Sequence, residues 1–258
     1  MTDLSKATFV LATDLDGTFL GGSDDQRRDL YDWIEARRSD VGLVFVSGRD
    51  PEFIHDLCSD GFVPWPDFVI GDVGTTVARV DSDGAARKLQ VLPDLEADIA
   101  SRWQDSGARV RAALDGVPGL TLQPTPFRYR VSYDLDAGRF DPAAKETVDG
   151  LGLDWLISDD RFFDVLPRGV SKGPTLLRFL DAFGVSRDRV LVAGDTLNDL
   201  SMFQTGLNGA VVGGSEQPLL DATADIDTAR HCTAIGAAGI MEAIAAFDLH
   251  PDAKGDTT

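Results

Sequence analysis

Two aspartates two residues apart, Asp14 and Asp16 in the run DLDGT, are the first residues able to do chemistry. On extended backbone, side chains at i and i+2 point to the same side. Two carboxylates that close resist joint ionisation unless a cation or a proton lies between them. The pair therefore suits one carboxylate acting as a nucleophile and the other, protonated, serving a leaving oxygen. Gly17 permits a tight turn and Thr18 adds a hydroxyl. An acidic loop with no chemistry would carry the same letters.

Three further groups follow along the chain. Ser47, Gly48 and Arg49 in VSGRD place a hydroxyl and backbone donors where an oxyanion could be held. Lys172 in GVSKG opens the leucine-rich run PTLLRFL. A helix N-terminus disfavours lysine unless an anion accompanies it. Asp195, Asn198 and Asp199 cluster in GDTLNDLSMF, an oxygen-rich turn of the kind that suits Mg²⁺. Taken singly, a strand-end serine, a solvated lysine and a helix-capping aspartate account for these residues as well.

The elements that must position them read as α/β. Apolar runs at 8–13, 41–47, 67–70 and 189–193 predict buried parallel strands followed by loops and helices. That is the pattern of a doubly wound sheet, whose ligands sit at the strand C-terminal ends. Between 80 and 162 the pattern changes. Helical stretches at 93–113 and 143–150 alternate with amphipathic strands at 120–123 and 129–135, predicting an antiparallel sheet covered on one side. The division expected is a core of residues 1–79 and 163–258 with an inserted α+β domain at 80–162. The polar end of the chain, 250–258, is expected to fray.

In their order and placement the four groups resemble the haloacid dehalogenase superfamily of phosphotransferases. The resemblance implies that Asp14 forms an aspartyl-phosphate while Asp16 protonates the leaving oxygen and then activates water. It implies that Thr18, Ser47, Gly48 and Lys172 hold the phosphoryl oxygens. Mg²⁺ is expected on Asp14, the Asp16 carbonyl and Asp195, with Asn198 and Asp199 supporting it and Lys172. The insertion falls between the Ser47 and Lys172 groups, where the larger cap of that superfamily lies. IGDVGTTV, LQPTPFRYRVSY and RFFDVLPRGVSKG are similar to segments of the sucrose-phosphate phosphatase branch. That branch also acts on other glycosyl phosphates, such as mannosylfructose phosphate and glucosylglycerol phosphate.

The implied substrate is therefore a small phosphorylated sugar or glycoside. Arg128 and Arg130, expected to share one face of a strand, could bind sugar hydroxyls or phosphate, or pair with surface aspartates. Arg49, Thr75 at the first hinge, and Asp164 and Arg168 at the second are the other substrate candidates. A sugar phosphomutase, a phospho-sugar sensor and a subunit associated with a glycosyltransferase are the competing readings.

Bulk composition narrows the rest. The 258 residues carry a formal charge of −19, which argues against nucleic acid and anionic membranes as partners. No uncharged stretch is long enough to span a bilayer. The acidic motif arrives too early for a signal peptide. Cys58 and Cys232 lack metal-ligand spacing and read as reduced thiols, so the cytoplasm is the expected compartment. His55, His231 and His250 read as surface or structural residues.

Overall fold

A computed structural model of the chain describes residues 3–83, 86–125 and 127–253. The first half runs β1 (Phe9–Thr13), α1 (Asp24–Glu35), β2 (Val41–Val46), α2 (Pro51–Ser59), β3 (Phe68–Gly71), β4 (Thr76–Asp83) and β5 (Ala86–Val91). An inserted stretch follows: α3 (Pro93–Trp103), α4 (Gly107–Ala113), β6 (Leu120–Leu122), β7 (Val131–Leu135), α5 (Ala143–Gly150), β8 (Asp154–Ser158) and β9 (Phe162–Leu166). The chain then returns through α6 (Lys172–Ala182), β10 (Val190–Gly194), α7 (Leu200–Phe203), β11 (Asn208–Gly213), α8 (Gln217–Thr223), β12 (Ala229–Ile235) and α9 (Ala237–Ala246).

The main sheet has the order β12-β11-β10-β1-β2-β3-β4-β5. Its first six strands are parallel and β4 and β5 continue it antiparallel. β1 and β2 are buried along their whole lengths, as continuous apolar runs require when helices cover both faces. Leu30, Ile34, Ile54, Ile240 and Ile244 of α1, α2 and α9 pack on one face. Ile99, Leu176, Phe179, Met202 and Leu219 of α3, α6, α7 and α8 pack on the other. This is the doubly wound α/β core the sequence predicts.

The second sheet, order β6-β7-β9-β8, is antiparallel. Its strands alternate. Val131, Tyr133, Phe163 and Val165 face α4 and α5 and form a separate apolar cluster with Val110 and Val148. Ser132 and Asp164, paired across β7 and β9, face the other way.

Sheet membership moves both expected boundaries. Residues 80–83 and 86–91 belong to the main sheet, where β4 and β5 extend its edge. Residues 162–166 belong to the second sheet, as β9. Period-two alternation looks the same in a hairpin that extends a parallel core and in a strand of a separate sheet, so it could not mark either crossing. The 93–113 stretch is two helices, broken where Gln104 and Asp105 adopt positive φ.

The fraying expected from residue 250 onward does not hold for His250. That residue is 3% exposed, its Nε2 is 3.2 Å from Asp40 Oδ2, and its Nδ1 accepts from the Asp252 amide. Its ring meets Trp33 edge-on at 5.1 Å. Residues 254–258 lie outside the described residues. His250→Ala removes two hydrogen bonds and a ring contact, so stability should fall by about 1–3 kcal/mol. Thermal melting checks this, and an unchanged midpoint would contradict it.

Candidate active site

β1 and β10 are neighbours at the centre of the main sheet, and the loops that leave their C-terminal ends build the floor of the site. Asp14 follows β1 directly and its amide donates to the Ala193 carbonyl at 2.9 Å, extending the ladder by one residue. It is 6% exposed. Lys172, the first residue of α6, is fully buried. Its ammonium donates to Asp14 Oδ1 (2.7 Å), Asn198 Oδ1 (2.6 Å) and Asp199 Oδ1 (2.5 Å). These acceptors use all three of its donors. α6 can approach because Gly173 lacks a side chain: a Cβ there would stand 1.8 Å from the Ser201 carbonyl oxygen.

Asp199 is also fully buried, and its second oxygen accepts from the amides of Asp195 (3.0 Å) and Thr196 (3.1 Å). Both of its oxygens are therefore engaged in shaping the loop and seating Lys172. Thr18 is buried too, and its hydroxyl donates to Asp195 Oδ1 at 2.8 Å. This corrects the expectation for Thr18: it orients a carboxylate instead of facing a phosphoryl group. Lys172 likewise points its donors at carboxylate and amide oxygens of the floor.

Burial pushes the Asp14 carboxyl up to about 8, with Asp199 and Asp195 adding to the rise and Lys172 opposing it. Burial, then Asp199, pushes Asp195 up to about 7. Lys172 is itself shifted upward by Asp14 and Asp199 against its own burial. One lysine thus offsets only part of the negative charge of the floor. Oxygens of Asp14, Asp195 and Asp199 lie within 4.8 Å of one another, an all-oxygen set that fits a hard divalent cation. With Asp199 committed to the loop, Asp14 and Asp195 are the carboxylates open to such an ion.

Asp16 stands at the opening of the site. Arg49 grips it with a fork, Nε to Oδ2 at 2.9 Å and Nη2 to Oδ1 at 3.2 Å, and rests over the Phe53 ring at 4.5 Å. Ser47 is 1% exposed, and its hydroxyl accepts from the Arg49 amide at 3.2 Å. Its neighbour Gly48 lines the cavity.

That cavity, about 710 Å³, lies between the floor and the polar face of the second sheet. Asp14, Asp16, Gly48, Arg49, Asp195 and Asn198 line it from below, and Arg130 and Asp164 from above. Gln123, Phe127, Ser158, Asp159, Arg161 and Phe162 also line it and were not singled out from sequence. Their signal was weak but present. Ser158 and Phe162 pair across β8 and β9 on the same face as Asp164 and Ser132, so extending the alternation would have found them.

Other candidates fall elsewhere. Arg128 and Arg130 precede β7 instead of sharing its face. Arg128 forks onto the buried Glu96 of α3 at 2.7 and 2.9 Å, neither facing the cavity nor pairing with a surface aspartate. Arg168 donates to the carbonyls of Gly152 and Leu153, away from the cavity lining. Thr75 is buried, with its hydroxyl on the Asp72 carbonyl at 2.9 Å. Among the histidines, His231 pairs with Thr223 at 2.8 Å and His55 sits edge-on to Trp65. Cys58 and Cys232 are free and buried, and burial pushes both thiols up to about 12. Among the described residues no helix is long and apolar enough to cross a membrane.

Comparison with known proteins bears on the whole arrangement. The chain is 38% identical over 239 residues to the glucosylglycerol-phosphate synthase of Pseudomonas anguilliseptica, covering 92% of this chain and 30% of that protein. It is 28% identical to the mannosylfructose-phosphate phosphatase of Agrobacterium fabrum, covering 95% of this chain and 99% of that one. It spans 62% of the length of a probable sucrose-phosphatase from Arabidopsis thaliana. In structure it matches the sucrose-phosphatase of Synechocystis sp. PCC6803, solved with sucrose and phosphate, at a TM-score of 0.81 and 23% identity, over 94% and 98% of the two chains. The sucrose-6F-phosphate phosphohydrolase family model matches residues 7–248, and the chain belongs to that family.

Proposed function

We propose that this protein is a Mg²⁺-dependent phosphatase that hydrolyses the phosphate ester of a neutral glycoside, with glucosylglycerol phosphate the favoured substrate. The observation that carries the reading is that Asp14 and Asp16 both line one cavity, Asp14 in its floor and Asp16 at its opening, beneath the polar face of a second sheet. Phosphoryl transfer needs positioned charge more than elaborate covalent machinery, and this floor supplies it.

In the proposed sequence an Asp14 carboxylate oxygen bonds to phosphorus as the bond from phosphorus to the leaving oxygen breaks. Asp16, once it carries a proton in place of one of its Arg49 contacts, gives that proton to the leaving oxygen. It then takes a proton from a water that attacks the aspartyl-phosphate, freeing Asp14 and inorganic phosphate. Arg49 keeps Asp16 over the cavity, and Lys172 fixes the rotamer of Asp14. Asp14, Asp195 and the Asp16 carbonyl would hold Mg²⁺, whose charge offsets that of the phosphoryl oxygens.

A neutral leaving group follows from how the cavity's cations are used. Arg49 faces Asp16, Arg130 faces Asp164, and Arg161 lies 3.8 Å from Asp159. Each arginine of the lining thus already has a carboxylate, and a second acidic group on the substrate would have to displace one. Polar groups such as Gln123 and Ser158 remain to bind hydroxyls. Glucosylglycerol phosphate is favoured because a relative named for synthesising it contains a stretch 38% identical to this chain.

Phosphate release with Mg²⁺ from glucosylglycerol phosphate, sucrose 6-phosphate, mannosylfructose phosphate and trehalose 6-phosphate tests the proposal. One glycoside should dominate and Asp14→Asn should abolish release, whereas negligible release from all of them would sink it.

A second test reads the charged floor directly. Asp14 at about 8 and Asp195 at about 7 stand above the ordinary 3.8, so across that window the folded state holds more protons than the unfolded chain. Stability of the metal-free protein should therefore fall as pH rises from about 4 towards 8. Mg²⁺ or Asp195→Asn should flatten the slope of melting temperature against pH between 6 and 9. Parallel slopes in all three samples would show that these carboxylates do not carry the linkage.

A further inference from the structure

Residues Asp72, Val73 and Gly74 form a turn that touches several walls of the site. The Asp72 amide donates to the Arg49 carbonyl at 2.9 Å, and the Val73 amide to the Ser47 carbonyl at 3.1 Å. A Cβ on Gly74 would stand 2.4 Å from the carbonyl carbon of Ser171, the residue before Lys172. Asp72 and Val73 sit at φ of +53 and +60. A β-branched residue is a genuine outlier there, and such a conformation persists only when its surroundings impose it.

The stretch that leads into β7 of the second sheet brings Arg130 directly onto this turn. Arg130 is 7% exposed and lies over the Phe127 ring at 3.6 Å. It donates to Asp164 Oδ1 of β9 at 3.2 Å, to the Gly48 carbonyl at 3.3 Å and to Asp72 Oδ1 at 3.4 Å. Its Nε is buried without a partner among the described residues. The other Asp72 oxygen accepts from the Thr76 hydroxyl at 2.6 Å, and that hydroxyl accepts from Arg128 at 3.2 Å. A guanidinium this buried is tolerable only with carboxylates beside it. Asp164 belongs to β9 of the second sheet and Asp72 to the turn after β3 of the first, so both are in place only while the second sheet lies over the first.

We propose that Asp72 and Arg130 are positioning residues that join the second sheet to the Ser47–Gly48 loop, so that phosphoryl transfer from a large ester depends on their pairing. The inference rests on the phosphatase reading above. A glycosyl phosphate spans floor and roof, so it should feel the pairing. An aryl phosphate small enough to use the floor alone should not.

The test compares Asp72→Asn with wild type on the preferred glycosyl phosphate and on p-nitrophenyl phosphate. Turnover of the glycoside should fall about 10- to 100-fold, since breaking one side of a buried charge pair is costly. Turnover of the aryl ester should stay within about threefold, which also shows that the variant is folded. Arg130→Gln should lower glycoside turnover, and the double variant should lose less than the sum of the singles. Equal losses on both esters, or no loss on either, would overturn the proposal. Small-angle scattering gives a readout free of substrate: Asp72→Asn should widen the particle, and an unchanged profile would count against the pairing. If wild type released phosphate from no glycoside, the substrate reading would fail and scattering would decide the pairing alone.

Discussion

Lys172 sits in the floor with no solvent exposure, and an ammonium so placed is tolerable only if acceptors surround it. Asp14 comes from the end of β1, and Asn198 and Asp199 come from the loop after β10. These must converge within hydrogen-bond reach, which sets the register between two strands and the approach of α6. The remaining oxygen of Asp199 then orients the amides of Asp195 and Thr196, and Thr18 turns the Asp195 carboxylate. The floor is one electrostatic unit in which no charge can be moved alone. Burial first, and the neighbouring carboxylates after it, raise Asp14 and Asp195, and a cation is the natural complement of so buried and acidic a floor.

The second sheet divides its labour by the pleat of its strands. Val131, Tyr133, Phe163 and Val165 bury the side facing the helices. Ser132, Asp164, Phe162 and Ser158 take the opposite side, and the last three of them line the cavity. A one-residue slip in β9 would exchange the two sets, so the helix-side apolar cluster also fixes which residues face a ligand. The floor and the roof of the cavity are thus held by separate apolar cores.

Most of the floor was legible in sequence because its residues follow strands whose apolar runs are unmistakable. Asp14, Lys172, Asp195, Asn198 and Asp199 came together as their placement at strand ends implied. The roles of Thr18 and Lys172 were less legible, since direction of hydrogen bonding depends on which oxygens lie nearby and not on the motif. The roof was mostly hidden. Arg128 and Arg130 look equivalent two residues apart, yet they precede β7 and turn to different carboxylates. The end of β4 and all of β5 fell on the inserted side of the expected boundary because alternation reports the period of a strand and not its partner.

The pairing of β1 with β10 matches Val10 to Val190 and Leu11 to Leu191. The central ladder of the core therefore closes a loop of most of the chain, a contact of very high sequence separation. Closure entropy grows only slowly with loop length, and an insertion already collapsed on its own apolar cluster shortens the effective loop further. The inserted sheet, with its mostly local antiparallel pairs, is suited to form early, while the β1–β10 pairing is suited to form late. Asp14 and Lys172 would meet only at that last step. The contact of Asp14 with Lys172 is then also a marker of that closure, and it cannot form before the chain has been made at least as far as β10.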